Sequence, residues 1–96
     1  MPQHAANATQ ADIREWCIAY LRKALKQPNA DFDTDAELVS LGLDSAESVF
    51  MIAAIEDWLG LELASDTAVD HPTIADLARF VAREIEAQSS RAMNKR

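Results

Sequence analysis

No stretch of this chain alternates apolar and polar residues as a half-buried strand must, whereas three stretches repeat apolar residues at helical spacing. The first runs to about Lys26 and carries Ile13, Trp16, Cys17, Tyr20, Ala24 and Leu25 on one face. Thr9-Gln10-Ala11-Asp12 ahead of it reads as a capping box, and Pro28 ends it. The second runs from about Ser45 to Leu59, with Val49, Ile52, Ala53, Ile55 and Leu59 as its buried stripe and Gly60 as its stop. The third follows Pro72, where Thr73-Ile74-Ala75-Asp76 signals a capped start. It buries Ile74, Leu77, Ala78, Val81 and Ile85 and fades near Gln88. Ala64 to Asp70 supplies a short helix or turn. The expected fold is all-α, a four-helix bundle with three long helices and one short one.

Ninety-six residues make one small domain. Hydrophobic residues are 49% of the chain, yet only two Trp, one Tyr and three Phe are aromatic, so the core must be mainly Leu, Ile, Val and Ala. Residues 1–8 read as a disordered tail, 9–88 as the folded domain and 89–96 as a basic flexible tail. Residues 28–44 form a long connection, pinned to the core by Leu38 and Leu41. No apolar run reaches the length of a bilayer span, and no signal peptide is visible. A soluble, cytoplasmic protein without a membrane partner is expected. Cys17 is the only cysteine, so no internal disulfide can form, and its place on an apolar face makes it a core residue.

The net charge of −7 is unevenly spread. From Gln27 through Ala78 there is no Lys or Arg, and that stretch holds twelve carboxylates. Such a field disfavours nucleic acid. It is either a solvated surface or a field that steers basic partners. Asp31, Asp33 and Asp35 occupy the first three ligand positions of a calcium loop, but Ala36 replaces its turn glycine and Gly42 its bidentate Glu. No metal site is expected.

Ser45 stands at the mouth of the second helix, where unpaired N–H groups and the helix dipole favour an anion. It is either a simple N-cap or a place for a covalently attached phosphate. It is not a hydrolase nucleophile. Leu43-Asp44 and Ala46-Glu47 flank it instead of glycines, and neither His4 nor His71 is placed to serve as its base. No catalytic residue is expected.

The run Leu38-x-x-Leu41-Gly42-Leu43-Asp44-Ser45, with Val49, Ile55-Glu56 and Asp70-His71-Pro72-Thr73-Ile74, resembles the acyl carrier and peptidyl carrier proteins. The resemblance implies a non-enzymatic protein with 4'-phosphopantetheine attached to Ser45, Asp44 forming part of the attachment motif. It implies a stand-alone acyl carrier that holds acyl intermediates as thioesters in polyketide, lipopeptide or related biosynthesis. A peptidyl or aminoacyl carrier of a nonribosomal pathway is the alternative. A helical docking domain capped by Ser45, or an acidic regulator phosphorylated on Ser45 or Ser48, would be a different class. Implied partners are a phosphopantetheinyl transferase, an acyl-activating ligase or acyltransferase, and ketosynthase or condensation enzymes, all meeting a monomer. Glu56-Asp57-Trp58-Leu59-Gly60 resembles carriers loaded by fatty acyl-AMP ligases. Ala46 and Phe50 depart from the usual pattern. Glu47, Phe50, Met51, Glu56 and Asp57 are the expected partner-binding residues. Ile52, Ile55, Leu63, Val69 and Ile74 are the expected acyl shelter. Trp58 either covers the lower core or joins a docking patch.

Overall fold

The computed structural model describes the backbone of residues 8–94 and the side chains of residues 8–88. Helix α1 spans Gln10–Ala24 and opens on the expected capping box. Asp12 N–H donates to Thr9 Oγ1 at 3.1 Å, and Thr9 N–H donates back to Asp12 Oδ2 at 2.9 Å. Ile13, Cys17 and Leu21 are wholly buried, each four residues from the next. Trp16, Tyr20 and Leu25 are only half-buried, and Ala24, expected on the apolar face, is exposed. The helix stops before Pro28. Lys26 takes the left-handed conformation with φ 57°, and Gln27 N–H reaches back to Arg22 O at 2.8 Å.

The connection after α1 is not structureless. It contains a one-turn helix, α2 (Leu38–Leu41), so the bundle has five helical segments rather than the four expected. Gly42 ends α2 with φ 112°, a conformation that L side chains rarely adopt. Leu38 and Leu43 are buried, and Leu41 is half-buried. Leu38 N–H donates to Pro72 O at 2.8 Å, and Ala75 N–H to Thr34 O at 2.9 Å. Arg22 Nε donates to Ala30 O at 2.9 Å. These bonds tie the connection to the first and last helices. Glu37 and Thr73 form an isolated β-bridge, and no strand forms among the described residues.

Helix α3 spans Ser45–Leu59 and buries Met51, Ile52, Ile55 and Leu59. Val49 and Ala53 were expected in this stripe, but both are exposed. The segment Val49 to Ile55 is apolar without a break, so several faces compete and packing decides between them. Gly60 stops the helix in the left-handed conformation. Helix α4 (Thr67–Asp70) is the expected short segment. Helix α5 (Ile74–Asn94) begins where Thr73 Oγ1 accepts from Asp76 N–H at 3.0 Å. It buries Ile74, Leu77, Ala78, Val81 and Ile85, as expected, but it continues past Gln88. Of the tails expected to be flexible, residues 1–7 and 95–96 lie outside the described residues, and Ala8 packs against the core.

Helices α1 and α5 form the principal pair. Trp16 of α1 stacks on Trp58 of α3 with centroids 5.0 Å apart and planes 4° apart, and Tyr20 stacks on Trp16 at 5.4 Å. Trp58 is thus half-buried as a cover on the core rather than a free docking residue. Among the described residues no helix is long and apolar enough to cross a membrane.

Candidate functional site

The site is built where α2 hands over to α3. Gly42 turns the chain, and buried Leu43 anchors it. Asp44 then takes an extended conformation as the N-cap of α3, its Oδ1 accepting Glu47 N–H at 2.8 Å. Ser45 is the first helical residue and is exposed. The reading of Ser45 as the N-cap is therefore corrected, because its acidic neighbour fills that role. Among the described residues, the Ser45 hydroxyl and the amides of Ser45 and Ala46 take no protein partner. Ser48 is different. Its Oγ donates to Asp44 O at 3.0 Å, one turn further into the helix.

A groove of about 200 Å³ opens beside Ser45. Leu38 and Val39 of α2 form one wall, Ser48 and Val49 of α3 another, and Ala68 and Val69 of α4 a third. Leu43, Pro72, Ser65 and Glu37 complete it. Val39 is 67% exposed, Val49 44% and Val69 75%, a concentration of uncovered apolar surface beside Ser45.

Of the five expected shelter residues, only Val69 lines this groove. Ile52, Ile55 and Ile74 belong to the closed core, and Leu63 is half-buried against it. The first turn of α3 faces the groove, whereas its middle turns face the core. The apolar lining residues missed were Leu38, Val39, Leu43, Val49, Ala68 and Pro72. Val39 and Ala68 stand in one-turn helices too short to show a periodicity, although Leu38 and Leu43 lie in the segment that carried the family resemblance.

The expected partner surface also divides. Phe50 is 66% exposed and Asp57 is exposed, while Glu47 is half-buried. Met51 is wholly buried, so it is corrected from partner contact to core residue. It lies one residue from Phe50, about 100° around the helix, which is enough to turn it inward. Glu56 is half-buried, and its Oε2 accepts Leu63 N–H at 2.8 Å. It thereby anchors the loop to α4. Gln88 holds the same loop through both the N–H and the O of Glu62.

Two other groups were candidates for chemistry. Cys17 is wholly buried, and burial pushes its thiol up to about 12, so it is a neutral core residue. Asp33 Oδ1 accepts Asp35 N–H at 2.9 Å in a local turn. Among the described residues, no three His, Cys, Asp or Glu side chains gather as a metal site.

The family described as "Phosphopantetheine attachment site" matches residues 15–81, which include Ser45, the groove and most of the core. The acyl carrier protein TtuC of Teredinibacter turnerae is 26% identical over 74 residues, covering 77% of this chain and 85% of TtuC. A phenolphthiocerol/phthiocerol polyketide synthase of Mycobacterium tuberculosis is 26% identical over 81 residues, covering 84% of this chain. The chain spans only 4% of the length of that synthase. Among solved structures, the HMG-ACPI domain from the CurA module of Lyngbya majuscula has a TM-score of 0.74 at 27% identity. That match covers 93% of this chain and 89% of the domain. A family match over most of the chain, joined to the same helical fold in a carrier domain, places the chain in the phosphopantetheine-attachment family, as a carrier protein for 4'-phosphopantetheine and not a catalyst.

Proposed function

We propose that Ser45 bears the phosphopantetheine arm of a stand-alone acyl carrier protein serving polyketide, lipopeptide or related biosynthesis. One observation carries the assignment. Ser45 is an exposed hydroxyl without a protein partner at the start of α3, and Asp44 has relieved it of the capping role. The residues present fit the group. The hydroxyl can form the phosphodiester, and the open amides of Ser45 and Ala46 with the helix dipole favour its negative charge. The apolar groove suits an uncharged remainder. When bound, the group supplies a thiol on which an acyl cargo is held as a thioester.

The proposed setting is cytoplasmic, with a monomer meeting its enzymes one at a time. Those partners are a phosphopantetheinyl transferase, a fatty acyl-AMP ligase or an acyltransferase for loading, and ketosynthase or condensation enzymes. Exposed Phe50, with Glu47 and Asp57 on the same helix, supports a docking surface that is apolar at its centre and acidic at its edge.

Intact mass after incubation with a phosphopantetheinyl transferase and coenzyme A tests the proposal. A phosphopantetheine increment, retained in Ser48→Ala and lost in Ser45→Ala, is the expected result. No increment under conditions that modify a control carrier would leave a helical docking domain as the better reading.

A further inference from the structure

We infer that Gln88 of α5 is a positioning residue for the modification of Ser45: it holds the α3–α4 loop, and through that loop it keeps α4 seated beside the serine. This rests on the reading that Ser45 carries the arm.

The Gln88 side-chain amide meets both backbone groups of Glu62, 26 positions earlier in the chain. Glu62 N–H donates to Gln88 Oε1 at 3.2 Å, and Gln88 Nε2 donates to Glu62 O at 2.9 Å. The same Nε2 donates to Glu84 Oε1 at 3.0 Å, one turn earlier on α5. These three bonds fix which way the amide points. Turned over, it would set its oxygen against two acceptors and its NH2 against an N–H. Next to Glu62 in the loop, Leu63 N–H donates to Glu56 Oε2 of α3 at 2.8 Å. Two consecutive loop residues are thus fastened, one to α5 and one to α3.

Helix α4 depends on such fastening. A single turn does not hold itself, because nucleation is costly and few bonds offset it. Its N-cap, Asp66, makes no side-chain cap bond. Thr67 and Ala68 are buried, but Val69 is exposed, and so are Ala64, Ser65 and Asp66 ahead of the helix. The other end is held separately. His71 stacks on Phe80 of α5 with centroids 4.2 Å apart, and Pro72 O accepts Leu38 N–H at 2.8 Å. Loss of Gln88 leaves the loop side of α4 on Glu56 alone, while the His71 side stays fixed. The wall that carries Ala68 and Val69 then shifts relative to Val49 and Ser45. An enzyme that reaches Ser45 crosses this apolar surface, and it finds the surface complete only in the fraction of molecules with α4 seated. Its apparent affinity falls by that fraction, whereas the seated complex reacts as before.

The test compares the whole apo chain with two variants. Gln88→Leu removes all three bonds at nearly constant size, and Thr9→Ala loses the cap of α1, outside the site. Transferase kinetics are read by intact mass, local opening by amide hydrogen exchange and global stability by urea unfolding. Gln88→Leu is expected to raise the KM of the transferase for the carrier several-fold, with kcat within twofold of wild type. Exchange quickens at the Val69 and His71 amides, which bond to Asp66 O and Thr67 O, by more than the drop in global stability explains. Thr9→Ala lowers global stability and leaves KM unchanged. Glu84→Ala removes only the bond that orients the amide, so it moves KM and exchange the same way by a smaller factor, and it decides the question if Gln88→Leu does not fold. The inference is overturned if Gln88→Leu keeps the wild-type KM, if kcat falls in place of a rise in KM, if Thr9→Ala raises KM as much, or if exchange at Val69 and His71 follows global stability alone. Absence of a mass increment on the wild type would instead refute the attachment reading, and the exchange comparison would still decide whether Gln88 seats α4.

Discussion

Asp44 Oδ1 accepts the Glu47 amide at 2.8 Å, and this bond leaves Ser45, the residue next after the cap, free of structural duty. Helix α3 is capped by one side chain and offers another to solvent. In the proposed function these two adjacent residues divide stability and chemistry between them.

That division predicts opposite effects for neighbouring substitutions. Ser45→Ala abolishes modification but changes stability by no more than about 0.5 kcal/mol, because an exposed hydroxyl without a partner is removed. Asp44→Ala costs about 0.5–2 kcal/mol through loss of the cap. Urea unfolding together with intact mass separates the two. A Ser45→Ala protein destabilised as much as Asp44→Ala would show that the serine caps the helix after all.

Partner recognition should depend on charge at the exposed part of α3. Loading by a basic partner slows as salt rises, since exposed charges are screened beyond about 10 Å at 0.1 M ionic strength. Glu47→Lys and Asp57→Lys reduce the loading rate more than Glu15→Lys, which places the same change on the exposed surface of α1. Glu56→Lys behaves differently again. It removes the acceptor of Leu63 N–H, so its first effect is a lower melting temperature. Equal loading defects at Glu15, Glu47 and Asp57 would mean that only overall charge matters.

The indole pair offers a test of how α1 is fixed to α3. Trp16 and Trp58 lie 5.0 Å apart and nearly parallel. Stacked aromatic pairs contribute about 0.5–1.5 kcal/mol beyond the area they bury. A double-mutant cycle with Trp16→Leu and Trp58→Leu should return a coupling energy in that range. Additive effects would show that each ring covers the core independently.

These contrasts also show what the chain makes legible. The starts of α1 and α5 were readable because Thr9 with Asp12, and Thr73 with Asp76, advertise local bonds made within four residues. The position of Ser45 was readable from its motif. The face of α3 was not, because Val49 through Ile55 is apolar throughout and only the packing of the other helices chooses Met51 over Val49. Helix α2 is a single turn held by Pro72 and Gly42, which no periodicity can reveal. The anchoring role of Glu56 depends on a loop that folds back seven residues later, and nothing in the sequence distinguishes that carboxylate from Asp57 beside it. The groove was misplaced for a related reason. Its walls come from three separate helices, two of them one turn long.

The final prediction concerns Cys17, which sits between Ile13 and Leu21 on the buried face of α1. Burial raises its thiol from 9.0 to about 12. Below pH 9 the thiol is neutral in both folded and unfolded chains and contributes no pH dependence. Between about 9 and about 12 the unfolded chain ionises while the folded chain stays protonated, so stability falls as pH rises through that window. Cys17→Ala, at a cost of about 1–3 kcal/mol, should lose this part of the alkaline slope. The same burial bears on function. A protein thiol that cannot ionise neither captures acyl groups nor exchanges with the thiol of an arm on Ser45. In the unmodified protein at pH 8, a thiol reagent should therefore label Cys17 only after urea is added, and in the holo protein it should label the arm alone. Rapid labelling of the native unmodified chain, or identical alkaline slopes for wild type and Cys17→Ala, would show that the α1 face opens far more readily than its packing implies.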